Sequence, residues 1–129
     1  REWFHTWLAI IRSSFEQRTT SAQHRWVEKA VEYCRSTFRQ NRTIQDVASA
    51  IGISPSYLST IFKQEKGVSF FEFMLNLRLD EAKRALSETD DTLDVVAQKS
   101  GFGNKRTLTR SFKKAVGQTP GAYRSRTAR

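Results

Sequence analysis

The chain contains an internal duplication, and this repeat limits the folds that the sequence can adopt. The segment TIQDVASAIG at 43–52 returns as TLDVVAQKSG at 92–101. The segment 58–69 returns at 108–119 with the same spacing of Leu, Phe-Lys and Gly, and the second copy has one additional residue just after its first glycine. Each copy has the pattern of a short apolar helix, a tight turn at Gly and a second helix, which is typical of a helix-turn-helix.

Basic residues are concentrated in the second copy. The net charge is +9, and residues 90–129 hold nine Lys and Arg against three acidic residues. No acidic residue follows Asp94. Because the excess is concentrated in one helix-turn-helix, it predicts contact with the phosphates of a nucleic acid rather than a generally solvated surface.

The sequence argues against several other classes of protein. Cys34 is the only cysteine, which argues against an intrachain disulfide and a zinc site built on cysteines, and fits a reducing cytoplasm. The longest apolar run, near 3–11, is too short to span a bilayer, so we expect no membrane insertion. The chain begins at Arg1 without Met, which predicts a piece cut from a longer protein.

Catalysis and metal binding are not expected either. The sequence has no Gly-rich phosphate loop, no cleft pattern of paired carboxylates and no favourable set of Ser, His and Asp. His5 and His24 are isolated and lack a spaced partner. We therefore expect no enzyme, no metal and no cofactor.

Apolar spacing predicts an all-α fold with two helix-turn-helix subdomains joined by a long linker helix. The first subdomain covers 21–68, the connecting helix 69–87 and the second subdomain 88–129. An apolar stripe over 1–20 predicts an extra N-terminal helix that packs on the domain, mediates self-association or links to a sensor domain. The basic end, 124–129, is expected to fray.

Small polar residues mark the expected helix starts. Ser69 and Glu72 have the spacing of a capping box, and Asp46 is placed to support the cap at Thr43. The predicted N-caps are Ser21, Thr43, Ser54, Ser69, Thr92 and Asn104 or Gly103. The residues of the connecting helix that are expected to face inward are Phe73, Leu77, Ala82 and Leu86.

A specific set of motifs lies in the second copy and upstream of it. The stretch 101–124 carries GF, LTRSFKK, GQTP and YR in this order. It follows GVSF at 67–70 and the residues RL, AK and L between 78 and 86. With these motifs, residues 25–125 resemble the DNA-binding domain of the AraC/XylS family of bacterial transcription regulators.

The resemblance implies seven helices in two subdomains. It also implies that one protomer sets two recognition helices, about 54–66 and 104–116, into successive major-groove segments on one face of double-stranded DNA. RNA polymerase is a further partner that the resemblance implies. Members of the family often carry a separate sensing or dimerising domain upstream.

The second recognition helix carries most of the candidate contacts. Leu108, Phe112 and the nearby Ala115 are expected to face the core. Arg106 and Arg110 should lie opposite and read bases, because a guanidinium can bond both acceptors on a guanine edge. Lysines around them suit phosphates, and threonines suit a thymine methyl or a phosphate. The other candidates here are Asn104, Lys105, Thr107, Thr109 and Lys113.

The first recognition helix has fewer charges. Many members of the family carry Arg at the position of Thr60. Short hydroxyls discriminate poorly between bases, so this helix is expected to supply phosphate contacts, a methyl contact or water-mediated reading. Tyr57 fits packing as well as contact. The candidates are Ser56, Tyr57, Ser59, Thr60 and Lys63.

Two other function classes stay open at this point. An RNA-binding helical domain would use exposed aromatic residues for stacking, whereas most aromatic residues here have core spacing. A helical interaction module would bind an acidic protein partner through the basic segment 95–129, without preference for a base sequence.

Overall fold

The computed structural model describes residues 21–40 and 42–127, and every regular element in these ranges is a helix. The all-α prediction is thus confirmed for this part of the chain, while the helix predicted over 1–20 lies outside it. No helix of the described ranges is both long and apolar enough to cross a membrane. The helices are α1 (21–37), α2 (Ile44–Ile51), α3 (Pro55–Lys66), α4 (Phe70–Glu88), α5 (Leu93–Lys99), α6 (Lys105–Val116) and α7 (Pro120–Thr127).

Most helices begin at the capping residues that the sequence indicates. The Thr43 hydroxyl accepts a hydrogen bond from the Asp46 N–H, and the Asp46 carboxylate accepts one from the Thr43 N–H at 2.9 Å. This second bond is the main reason that the pKa of Asp46 lies below its usual range. At α4, the Ser69 hydroxyl accepts from the Glu72 N–H at 3.1 Å, which is one half of the predicted capping box. Ser21 is not a cap, because it already lies within α1.

Each unit closes around two side chains that occupy equivalent positions in the duplication. Leu58 and Phe62 are fully buried in the first core, and Leu108 and Phe112 are fully buried in the second. The ring of Phe112 packs edge-on against Tyr123 of α7, with centroids 5.3 Å apart. Full burial of a side chain of this size stabilises the fold by about 1.5–3 kcal/mol.

Helix α4 belongs to both cores. Phe70 and Met74 are buried in the first core, whereas Leu79, Ala82 and Leu86 are buried in the second. Successive residues advance about 100° around a helix, so these two sets lie on different sides of α4. All four positions predicted to face inward contact a core, but they divide between the two. Ala82 and Leu86 are buried in the second core, and the half-buried Phe73 and Leu77 pack against the first.

The end of α6 also differs from the sequence prediction. Ala115 is exposed, and Val116 packs against the second core in its place. The reason is that α7 covers α6 on the side of Phe112, where Tyr123 packs. Spacing along α6 alone does not reveal which side of its last turn is covered.

The expected fraying at Arg124 is wrong. Helix α7 continues to Thr127, and the half-buried Arg124 donates hydrogen bonds to the carbonyl oxygens of Leu86, at 3.3 Å, and Thr89, at 3.2 Å. Carbonyl groups in the last turn of a helix lack hydrogen-bond donors within that helix. Arg124 supplies these donors at the end of α4.

We predict that Phe112→Ala lowers the free energy of unfolding by about 3–5 kcal/mol, because it removes a fully buried ring from the second core. Lys114→Ala changes an exposed residue of the same helix and should alter this free energy by less than about 0.5 kcal/mol. Urea unfolding followed by circular dichroism measures both values. Equal losses in the two variants would contradict the packing of α6.

Candidate nucleic-acid interface

Helix α6 packs against the second core with one face and exposes the opposite face. Leu108 and Phe112 anchor it in the second core. Arg106, Arg110 and Lys113 follow one another at helical spacing on the opposite side, and all three are exposed. The prediction that both arginines point away from the core is therefore confirmed. Lys105, Arg106, Thr109 and Arg110 line one shallow depression on this face.

The first turn of α6 is basic, which the helix dipole disfavours. Lys105 and Arg106 lie in this turn, and it contains no acidic residue. Within residues 21–40 and 42–127, neither these two side chains nor Arg110 and Lys113 form an ion pair. An anionic partner at this end of the helix would offset the repulsion.

Asn104 is the N-cap of α6. Its side-chain oxygen accepts a hydrogen bond from the Thr107 N–H at 2.8 Å. Asn104 is exposed, and its side-chain amide nitrogen carries two donors that could bond a ligand. Of the two predicted positions for this cap, Asn104 and Gly103, the structure shows Asn104.

Thr109 of α6 presents mainly a methyl group and lone pairs. The hydroxyl of Thr109 donates to the carbonyl oxygen of Lys105 at 2.8 Å, and the residue is half-buried. Its proton is therefore used inside the helix, which leaves an acceptor and a methyl group for contact. Thr107 is exposed on the first turn.

The outward face of α3 is polar but almost uncharged. Ser56, Ser59, Thr60 and Lys63 are all exposed, and Tyr57 is 37% exposed at their edge. The Thr60 hydroxyl donates to the carbonyl oxygen of Ser56 at 3.0 Å, as Thr109 does on α6. Both candidate helices therefore direct most of their predicted residues outward, but only α6 presents a cluster of positive charge.

Acidic side chains near the second unit are paired with other cations. Glu81 accepts a hydrogen bond from Arg84 at 2.7 Å, and Asp91 accepts one from Lys99 at 2.9 Å. These bonds are the main reason that the pKa values of both carboxyl groups lie below their usual ranges. The two acids are charged at neutral pH, yet neither forms an ion pair with the exposed basic stripe of α6, which consists of Arg106, Arg110 and Lys113.

His24 is less isolated in space than in the sequence. Its imidazole contacts the carboxylate of Glu65, and Glu28 forms an ion pair with Lys66 at 3.2 Å. One ligand atom from each of His24, Glu28 and Glu65 lies within 4.8 Å of the others, but all three residues are exposed. Since partners on α1 and α3 already occupy these groups, their evident role is to tie the two helices together.

Sequence comparisons show that this chain is similar to bacterial HTH-type transcriptional regulators. Residues 47–126 match the profile of a helix-turn-helix domain family. The chain is 41% identical over 87 residues to the uncharacterized HTH-type transcriptional regulator YtdP of Bacillus subtilis, and 38% identical over 96 residues to YobQ of the same organism. The alignments cover 67% and 74% of this chain but 11% and 40% of these relatives, so the chain spans less than half of their length.

Solved structures share the same arrangement of helices. The C-terminal domain of AraT, a response regulator from Geobacillus stearothermophilus, has a TM-score of 0.77 at 32% identity, over 78% of this chain and 84% of that one. A probable AraC family transcriptional regulator from Rhodopseudomonas palustris has a TM-score of 0.69 at 25% identity, over 81% and 99%. The DNA-binding domain of AdpA, solved with a target DNA, has a TM-score of 0.73 over 78% and 90%, but at 22% identity this likeness concerns the fold alone.

We predict that Asn104→Ala lowers the free energy of unfolding by about 1 kcal/mol, because α6 loses its cap. Asn104→Asp keeps an acceptor oxygen in place and adds a negative charge that the helix N-terminus favours, so its stability should be retained. Thermal unfolding of both variants measures the difference. If Asn104→Asp is destabilised as much as Asn104→Ala, the side chain is not acting as a cap.

Proposed function

Since the chain belongs to the AraC/XylS family of helix-turn-helix transcription regulators, we propose that it binds double-stranded DNA sequence-specifically through α3 and α6. Each of these helices enters a segment of the major groove, which is wide enough to admit an α-helix. Successive segments on one face of the duplex lie about 34 Å apart. One protomer carries both helices, so its site covers roughly two turns of DNA.

The exposed basic stripe of α6 is the observation that carries this proposal. Arg106 and Arg110 lie one turn apart, both are exposed, and neither forms an ion pair within the described residues. A guanidinium bonds O6 and N7 of guanine together, so these arginines are the base readers. Lys105 and Lys113 flank them and bind phosphates, where a compact charge needs no particular geometry.

Helix α3 reads DNA by weaker means. Because the Thr60 hydroxyl proton is donated to the Ser56 carbonyl, the side chain offers a methyl group and acceptor lone pairs to the groove. Such a surface suits a thymine methyl or a water-mediated contact. Lys63 and the serine hydroxyls bind phosphates, and the partly exposed Tyr57 lies at the edge of this contact.

The two alternative functions receive less support. In the described part of the chain, the exposed large apolar residues are Tyr57, Phe71 and Val95, and none of them lies on α6. The basic face therefore lacks the aromatic platform that single-stranded RNA would stack on. Binding of an acidic protein would show no dependence on base sequence. Contact with RNA polymerase, self-association through 1–20 and a cytoplasmic location stay predictions from the sequence.

We predict that Arg110→Ala weakens binding by about 1–3 kcal/mol and loosens the preference at one base pair, because one bidentate contact is lost. Lys113→Ala should weaken binding to all sequences about equally. Sequence selection from a random pool of duplexes, performed with the unsubstituted chain and both variants, measures the change. An unchanged consensus for Arg110→Ala would refute its role as a base reader.

We also predict a steep dependence of affinity on salt. If about six phosphates are neutralised, the logarithm of the association constant should fall with the logarithm of salt concentration at a slope of about −5. Lys113→Ala should make this slope shallower by about 1, because one phosphate contact is lost. Fluorescence anisotropy between about 50 and 200 mM salt measures both slopes. A slope near zero would contradict contact with the DNA backbone.

A further inference from the structure

The two units are connected at a second place besides α4. Segment 38–40 follows α1 of the first unit and lies against the second unit. There, Arg39 Nε donates a hydrogen bond to the carbonyl oxygen of Lys99 at 2.9 Å. The same guanidinium lies 3.5 Å from Glu81 Oε1 on the second half of α4. Arg39 thus joins a loop of the first unit to both α5 and α4 of the second.

Arg78 holds the same segment from α4. Its Nε donates to the carbonyl oxygen of Phe38 at 3.0 Å, and its Nη2 donates to that of Gln40 at 3.5 Å. Arg78 stands between Met74, which is buried in the first core, and Leu79, which is buried in the second. The contact is therefore made where α4 passes from one unit to the other.

Gly101 of the second unit lies close against segment 38–40 of the first. A Cβ at this position would lie 2.5 Å from the Phe38 carbonyl oxygen and 3.0 Å from Arg39 Cα, so any side chain here must displace the backbone of 38–40. The equivalent glycine of the first copy is Gly52. Its φ of +87° nearly equals the +89° of Gly101, yet nothing lies within 4 Å of an added Cβ.

We propose that these contacts, named the interunit junction, set the orientation of α6 relative to α3 and so determine the spacing of the two half-sites that the chain recognises. The inference rests on the proposed function above. A helix such as α4 can bend along its length, whereas a second attachment away from its axis restricts that motion. The junction consists of Phe38, Arg39, Gln40, Arg78, Glu81, Lys99 and Gly101.

A fixed orientation has a measurable consequence for DNA recognition. One additional base pair between two half-sites moves the second by about 3.4 Å along the duplex and turns it by about 34°. A rigid pair of recognition helices cannot follow this change without losing contacts or deforming the DNA. A loosely connected pair can follow it, but it gains less from binding both half-sites at once.

The test compares three variants of the whole chain. Arg39→Ala removes the two contacts that this exposed side chain makes with the second unit, and Gly101→Ala introduces the Cβ that meets the Phe38 carbonyl. Gly52→Ala is the matched control, because alanine at positive φ has the same backbone strain there without the junction contact. The probes are the duplex that the unsubstituted chain selects from a random pool and the same duplex with one base pair inserted between the half-sites.

We expect the insertion to reduce the affinity of the unsubstituted chain and of Gly52→Ala by at least about tenfold. The two junction variants should bind the original duplex more weakly than the control does. They should then lose less than about threefold on insertion, because loosened units adapt to either spacing. Should Gly101→Ala fail to fold, Arg39→Ala decides the question.

A measurement without DNA tests the orientation itself. Spin labels at Ser56→Cys on α3 and Lys114→Cys on α6 report the distance between the two helices, and both positions are exposed. Cys34 should react slowly with the label, since it is buried and burial raises the pKa of its thiol to about 12. The distance distribution should be narrow for the labelled parent chain and the Gly52→Ala control, and broader for the junction variants.

Two results would overturn the proposal. The junction variants could lose as much affinity on insertion as the control, or their distance distributions could be as narrow as those of the control. In either case α4 alone would determine the orientation of the two recognition helices. Failure of the proposed function has a different signature. A parent chain that selects no duplex contradicts sequence-specific binding and removes the consequence for half-site spacing. The spin-label distances then decide whether the junction orients the two units.

Discussion

Helix α4 contributes buried side chains to both hydrophobic cores, and the arrangement of the two units depends on this shared burial. Phe70 and Met74 are fixed in the first core, while Leu79 and Leu86 are fixed in the second on another side of the helix. Turning either unit about its half of α4 would expose apolar surface, and each Å² exposed would cost about 25 cal/mol of stability. Between Met74 and Leu79, Leu77 still packs against the first core and Leu75 already packs against the second, and the junction lies beside this stretch.

The two copies of the duplication have kept their interiors and changed their exteriors. Leu58 and Leu108 fill equivalent buried positions, because close packing tolerates few alternatives there. The exposed faces are under no such restriction, so Thr60 stands on α3 at the place that Arg110 occupies on α6. A single chain thus presents two chemically different surfaces on two similar supports, which suits recognition of an asymmetric DNA site.

The sequence predicts interactions between residues that are close in the chain better than interactions between distant segments. Helix starts depend on residues three positions apart, which is why Thr43 with Asp46 was identifiable, and the exposed side of α6 follows from helical periodicity. Contacts between distant segments leave no such pattern: His24 meets Glu65 41 residues away. Arg39 likewise meets a carbonyl 60 residues away, and only the packing of the units brings them together.

Arg124 has a consequence for where the isolated domain can be truncated. Its guanidinium satisfies two carbonyl groups at the end of α4, and its neighbour Tyr123 covers the ring of Phe112. A protein that stopped at residue 122 would leave those carbonyls to water and uncover the second core. A truncated protein must therefore retain Tyr123 and Arg124, even though this last helix carries none of the candidate recognition residues.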